Sequence, residues 1–474
     1  MCRSRRPRSA SRRARRGSHA RSAGSPRPPC RSRVQLSCQR RAFDPGTLFA
    51  ILRCLSTFHL FAAVISLAAL AGYVNYRLLR LPTAIGMTLT VLAFSAALLG
   101  LRALGVLDVE AAVRVVKSLQ FGDIVLHGML AFLLFAGALH VDLAKLRGEG
   151  VTVGLLATLG VIIATAVTGV LVWLAAGALG LDIPLLAALV FGAVVAPTDP
   201  IAVLGILRQA GVPQHLALQI TGESLFNDGV AVVVFIALAD AAFGAPPSAA
   251  HVAGFFALEV LGALALGAAL GYAANRLLAQ VDDYPVEILM SLALAAGGYS
   301  LAEVLHVSAP ITVVVAGLLV GTHGRAFSMS ERTRRRLDEF WELVDYVLNA
   351  TLFVLIGLEV LALPIEALRG ATPWLLAAGV AIVLLARLVG VAAPIGMLRA
   401  TRRFAPGTIR MLTWGGLKGG ISIALALSLP EFAQRDLLLA ATYAVVVFSV
   451  LVQGLTLKPL AVRINSYPAA ARTR

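Results

Sequence analysis

The runs Phe191-Gly-Ala-Val-Val-Ala-Pro-Thr-Asp-Pro200 and Gly222-Glu-Ser-Leu-Phe-Asn-Asp-Gly229 each set an aspartate inside a stretch long and apolar enough to cross a lipid bilayer. An ionisable group at that depth is costly unless an ion, a proton or a partner charge compensates it, so Asp199 and Asp228 point to an ion or proton pathway. Pro197 and Pro200 lack an N–H and clash with the preceding turn, which predicts a helix break around Thr198 and Asp199. Broken backbone is tolerated at membrane depth only inside protein or beside a water-filled cavity. The freed carbonyls and the Thr198 hydroxyl are oxygen ligands suited to a small alkali cation, with Asp199 adding charge. The plainer reading is a proline kink in which Asp199 caps the second half-helix.

The second run has helical spacing. Ser224 and Asp228 are four apart on one face, and Glu223 and Asn227 are four apart on the neighbouring face. One stripe can face an ion cavity while the other bonds to protein. A proton and a cation compete for a carboxylate in such a cavity, and that competition is sufficient for exchange.

Composition agrees with a membrane setting. The chain is 58% hydrophobic and 14% charged, with mean hydropathy +0.84, whereas soluble domains carry about 25% charged residues. Taking roughly 20 apolar residues per helix, we expect about thirteen transmembrane helices. They fall near 57–76, 83–103, 123–143, 151–178, 184–207, 214–240, 251–275, 285–304, 308–322, 341–361, 374–398, 409–428 and 437–457. Cys2, Cys30 and Cys38 lie in the N-terminal tail and Cys54 near a helix, so neither a disulfide framework nor a thiolate metal site is expected.

Fourteen of the sixteen net positive charges come from arginines between Arg3 and Arg41, which leaves the membrane body nearly neutral and removes a nucleic-acid reading for it. The expected domains are an Arg-rich tail over 1–45, a transmembrane domain over 46–462 and a short tail over 463–474. The first tail reads as a basic arm, a transit peptide, or an extension that is solvated or not translated. Within the body, one set of connections collects Arg77, Arg80, Lys145, Arg147, Arg332, Arg334 to Arg336, Arg399, Arg402 and Arg403, and the other only Arg102, Arg114, Lys117, Arg369 and Arg435. The positive-inside rule makes the first set cytoplasmic and puts the C-terminus there too. Thirteen spans would then leave the arginine tail on the disfavoured side, so either one span is miscounted or the natural chain begins later than Met1; we expect the later start, near Val34 or Leu48.

Arg387 is the one arginine placed well inside a span, and Glu223 is the best acid for it, leaving Asp228 free to titrate. Their role would be to tie two helices together. Trp414-Gly-Gly-Leu-Lys-Gly-Gly-Ile-Ser-Ile-Ala-Leu surrounds Lys418 with four glycines and reads as a second interrupted helix, whose cation would balance Asp199 and the half-helix dipoles. Two interrupted spans in corresponding positions are the mark of an inverted-repeat transporter, although glycines alone also serve tight helix packing.

Ala196-Pro-Thr-Asp-Pro200, Gly222 to Gly229, Phe340-Trp341 with Asn349 and Phe353-Val-Leu-Ile-Gly-Leu-Glu359, Arg387, and Gly415-Gly-Leu-Lys-Gly419 together resemble the monovalent cation:proton antiporter family, in its bacterial sodium/proton exchanger branch. The resemblance covers about 55–462. It implies an all-α membrane fold with inverted repeats and two crossing interrupted helices, a homodimer, and an elevator-like exchange of one cation for one proton. It implies Asp228 as the shared cation and proton site, with Thr198, Asp199, Ser224 and Asn227 contributing, and Na⁺ or K⁺ held at Asp228, Thr198 and Ser224. Glu223 and Arg387 match the family's buried ion pair. An Asn-Asp pair such as Asn227-Asp228 goes with electroneutral exchange there. Two positions depart from the pattern: Ala136 where many relatives have glutamate, and Lys418 where arginine is common, which keeps the charge and loses bidentate bonding.

The expected function is therefore exchange of Na⁺ for H⁺ across the bacterial inner membrane, serving pH and sodium balance without ATP or a redox cofactor. Potassium/proton exchange is the alternative within the class. An intramembrane aspartyl protease would need a Gly-x-Gly-Asp context that Asn227-Asp228-Gly229 does not supply, and a channel would repeat its filter around a pore. His140, His306, Glu259, Glu303 and Glu359 are expected at helix ends, cavities or interfaces. Asn349 reads equally as a member of a polar network or as a helix-packing hydrogen bond. N-terminal sequencing of the protein from its native cells should give a first residue beyond Met1; a peptide beginning at Met1 overturns the late start.

Overall fold

The computed structural model describes residues 57–465, except 107–109, 119–120, 211, 245–248, 323–329, 364–369 and 371. The Arg-rich tail, the alternative starts Val34 and Leu48, and residues 466–474 lie outside the described residues. The chain divides into Met1–Leu55 and Ser56–Arg474, and the second unit is the one described.

In hydrocarbon every backbone N–H and C=O must be satisfied within the protein, and a chain this apolar meets that demand by folding into helices. They are α1 (Phe58–Leu79), α2 (Thr83–Ala103), α3 (Val113–Leu139), α4 (Leu143–Ala178), α5 (Leu185–Val194), α6 (Pro200–Gln209), α7 (Gln214–Phe243), α8 (Gly254–Leu278), α9 (Tyr284–Val304), α10 (Ala309–Thr322), α11 (Glu331–Ala362), α12 (Thr372–Leu398), α13 (Thr408–Trp414), α14 (Gly420–Leu427) and α15 (Arg435–Ile464). Among the described residues no strand occurs. Local chemistry sets several starts: the Asp142 side chain accepts from the Ala144 and Lys145 N–H groups ahead of α4, and the Ser330 hydroxyl accepts from Thr333 N–H ahead of α11.

The thirteen expected segments are not all continuous spans. Among the described residues, ten are long and apolar enough to cross a membrane as continuous helices. The other expected segments are α10, which is short, and two that are split, α5 with α6 and α13 with α14. Prolines at 197 and 200 split the first, and the glycines from 415 to 420 leave the second free to unwind. Several helices also start earlier than hydropathy suggests, α11 at Glu331 and α4 at Leu143. A charged first turn projecting beyond the apolar layer stays helical when a cap and tertiary packing hold it.

Two groups of helices face one another. α4, α5 to α7 and α12 to α15 form two copies of a long helix, a split helix and a long helix, with α4 packed on α12 and α5 on α7. The copies run in opposite senses. Arg402 Nη1, beyond the end of α12, donates to Gly148 O near the start of α4 at 2.9 Å. At the other end, Gln434 Nε2, just before α15, donates to Asp182 O, just after α4, at 2.8 Å. The second group is a wall in which α2 packs on α11, α3 on α10 and α11, and α8 and α9 on α10. Trp341 fixes α11 in this wall: it is fully buried, its ring centroid lies 4.8 Å from that of Phe135 on α3, and its Nε1 donates to Ser291 Oγ on α9 at 3.0 Å.

These end-to-end contacts generate a topology test. In a chain whose native cysteines are replaced by serine, Lys145→Cys should react with a membrane-impermeant maleimide in everted vesicles, and Asp182→Cys in right-side-out vesicles. Labelling of both from one side would break the assignment.

Candidate cation and proton site

The two split helices cross at their breaks. Residues 195–199 separate α5 from α6 and 415–419 separate α13 from α14. At the crossing the Asp199 N–H donates to Leu417 O at 2.7 Å. Lys418 is 5% exposed, and its ammonium donates to Ala196 O at 2.8 Å and Pro197 O at 3.2 Å, just past the end of α5 where helix carbonyls lack partners. The Lys418 N–H is taken up by Ser449 Oγ of α15 at 2.8 Å. The glycines explain why the strands of broken backbone can approach this closely. A Cβ at Gly419 would lie 2.9 Å from the Asp199 Cβ, and one at Gly416 would lie 2.4 Å from Arg387 Nε.

On α7, Ser224, Asn227 and Asp228 come up to the first break. Ser224 Oγ and Thr198 Oγ1 are 2.8 Å apart, and Asn227 Nδ2 donates to Thr198 Oγ1 at 2.7 Å. Thr198, Ser224, Asn227 and Asp228 are each at most 1% exposed. Yet Asp228 Oδ1 and Asn227 Oδ1 have no hydrogen-bond partner. A buried polar atom without a partner costs about 1–3 kcal/mol, more when charged, so these two oxygens mark a place where something polar belongs.

Asp228, Thr198 and Asp199 line a cavity of about 870 Å³. Its other lining groups include Asp142 and Lys145 at the start of α4, and Asp338, Glu342, Asp345 and Asn349 along α11. Among the described residues, Lys145 is the sole Lys or Arg on a lining that carries six carboxylates. Walls of low dielectric with one sign of charge concentrate counter-ions, so the space favours cations over anions.

Glu223 is fully buried and turned away from this cavity, toward α12. Arg387 Nη2 donates to Glu223 Oε2 at 2.7 Å and Nη1 to Oε1, a two-pronged pair, while Nη2 also reaches Leu412 O at 3.1 Å. All the residues singled out at these two runs are thus brought into one region: Thr198, Asp199, Ser224, Asn227 and Asp228 at the cavity end, Glu223 with Arg387 behind it, and Lys418 at the crossing. Glu259 and Glu359 are buried elsewhere, and Glu303 lies 3.7 Å from His127 at the far end of the wall. His140 ends α3 at the cavity rim, its Nδ1 2.7 Å from Ala136 O. The acids of α11 were not singled out in the sequence, although Asp338, Glu342 and Asp345 have helical spacing. They precede the hydrophobic run and read as a solvated turn. Asn349 bonds to Asp345, which places it in the polar network of the cavity.

An acidic cavity at the crossing of two inverted, interrupted helices defines an ion-coupled membrane transporter. Residues 65–463 match the family described as sodium/hydrogen exchanger, transmembrane, and the chain belongs to that family. It is 49% identical over 412 residues to the Na(+)/H(+) antiporter NhaP of Pseudomonas aeruginosa, covering 85% of this chain and 96% of the relative. It is 35% identical over 407 residues to the Na(+)/H(+) antiporter NhaH of Halobacillus dabanensis, covering 85% and 95%. The fold is that of the sodium proton antiporter MjNhaP1 from Methanocaldococcus jannaschii, with a TM-score of 0.67 at 18% identity over 86% of this chain and 98% of that one.

Arg387→Ala strands a buried carboxylate and should cost about 3–5 kcal/mol. In detergent this should appear as a large drop in melting temperature or loss of the monodisperse species. Arg387→Ala with Glu223→Leu should recover part of that stability. A single variant as stable as the parent would show that the pair does not hold α7 to α12.

Proposed function

We propose that this protein is a secondary antiporter that exchanges Na⁺ for H⁺ across the bacterial inner membrane, with Asp228 as the group both ions use. The observation that carries this reading is a buried Asp228 with one oxygen unpartnered, on the lining of an acidic cavity. A carboxylate there holds either a proton or a cation, and simultaneous occupancy is disfavoured because the proton removes the charge that attracts the cation. Thr198 and Ser224 hydroxyls and the carbonyls freed at the break add neutral oxygen ligands. Asn227 orients Thr198 and carries no charge, so one charge is neutralised by one ion in either form, the arithmetic of electroneutral exchange.

Lys418 compensates the carbonyls at the crossing, and Glu223 with Arg387 has an architectural role. The cavity mouth lies at the end of the molecule where Lys145 and Arg402 sit, the end that the positive-inside rule assigns to the cytoplasm together with the C-terminus. We read the geometry as inward-open. The inverted-repeat group would then move against the wall to present Asp228 to the other side, and family resemblance supports the homodimer in which the wall stays fixed. Such exchange would draw on the proton motive force and adjust cytoplasmic sodium and pH.

The test is proton movement in everted vesicles with a fluorescent pH reporter and additions of Na⁺, Li⁺ or K⁺. Na⁺ should dissipate the proton gradient, Asp228→Asn should abolish the response, and acidification should raise the apparent KM for Na⁺ while leaving the maximal rate nearly unchanged. A response only to K⁺ would transfer the assignment to potassium/proton exchange, and none with inserted protein would end the antiporter reading.

A further inference from the structure

We propose that Asp345 is a second cation-binding residue of the exchanger, a stationary carboxylate on α11 that receives the cation on the cytoplasmic side and passes it to Asp228. The proposal rests on the exchange reading above and extends it to the wall of the cavity.

Asp345 lines the same cavity as Thr198, Asp199 and Asp228, but from the opposite wall. Its carboxylate is held in place: Asn349 Nδ2 donates to Asp345 Oδ1 at 3.0 Å and to the Asp345 carbonyl at 2.8 Å, and Asn349 is itself 6% exposed. One turn before it, Trp341 locks α11 against α3 and α9, so the backbone beneath Asp345 belongs to the rigid part of the wall. A carboxylate accepting one hydrogen bond keeps further lone pairs for a cation.

Position along α11 gives Asp345 its part. Asp338 and Glu342 precede it at helical spacing on the same lining, and Glu342 is exposed, so Asp345 stands about one turn deeper. From there its charge and that of Asp199 are close enough to interact. Two like charges facing across a cavity gain from a cation between them, which lowers the cost of bringing Na⁺ in from bulk water. Asp228, 1% exposed and with one oxygen unpartnered, lines the same cavity and supplies the deeper end of the transfer. Because α11 is part of the wall, Asp345 would meet the cation only while Asp228 faces inward. Its effect is therefore one-sided.

The experiment compares the apparent KM for Na⁺ on the two faces, in everted and in right-side-out vesicles. Asp345→Asn should raise KM about tenfold in everted vesicles, where the cytoplasmic side is outside, with the maximal rate within about twofold and KM on the other face unchanged. Asp345→Glu should bring KM back to within about twofold of the parent, which a purely structural role would not do. Titration of the detergent-purified parent and Asp345→Asn with Na⁺ by calorimetry reads the same contact without transport. An unchanged KM and binding constant, an equal rise on both faces, or a loss of maximal rate alone would each overturn the proposal. Failure of the exchange reading would appear separately, as a parent protein that moves no protons, and the calorimetric comparison would then still decide whether Asp345 binds the cation.

Discussion

Opposite charge and spare hydrogen-bonding groups are exchanged at one place, the crossing of two helices broken in mid-membrane. Leaving a helix end in hydrocarbon costs several kcal/mol for each backbone group without a partner. Here the breaks satisfy each other: the Asp199 N–H goes to Leu417 O, the Lys418 N–H goes to Ser449, and the Lys418 ammonium covers the carbonyls of Ala196 and Pro197. Pro197 and Pro200 have no N–H to satisfy, which lowers the demand further. Asp199, just ahead of Pro200, sets a negative charge at the positive end of α6 while Lys418 sets a positive one beyond the negative end of α5. Only because this crossing is internally compensated can Asp228 stand beside it with an oxygen left over.

The ion pair behind the site works in the complementary way. Glu223 and Asp228 are five residues apart on one helix, and their environments separate them. Glu223 is engaged by both prongs of Arg387, so its charge is spent on holding α7, α12 and the first half of the second split helix together. Asp228 has no such cation bonded to it and faces the cavity. Gly416 makes this arrangement possible by letting the broken backbone lie against the guanidinium with no side chain between them. A chain that must keep one buried carboxylate occupied and its neighbour exchangeable needs that division of labour.

Much of this was legible in the residues. Prolines flanking Thr198 and Asp199, glycines flanking Lys418, and four-residue spacing on α7 are local signals, because they act through the backbone within a turn of where they stand. Hydropathy found nearly all the membrane segments for the same reason: burial in lipid is a property of composition. Hydropathy did not show which segments are split or short, nor where a polar turn stays helical beyond the apolar layer. Asp338, Glu342 and Asp345 escaped notice because nothing near them in sequence says that their helix borders a cavity; they look like the polar start of an ordinary span. Asn349 was ambiguous for the same reason until its partner, Asp345, was known.

By itself, then, the sequence determined that the chain is a bundle of membrane helices, that two of them break, and that Asp228 is the carboxylate with no local reason to be there. Those are consequences of desolvation and backbone chemistry, which act residue by residue. Tertiary structure alone decided that the two breaks cross, that Lys418 reaches carbonyls more than 200 residues away, and that α11 supplies a second row of acids to the cavity. Each of these depends on which helix faces which. Lipid-facing and protein-facing apolar surfaces are made from the same side chains, so composition does not encode that choice, and packing does.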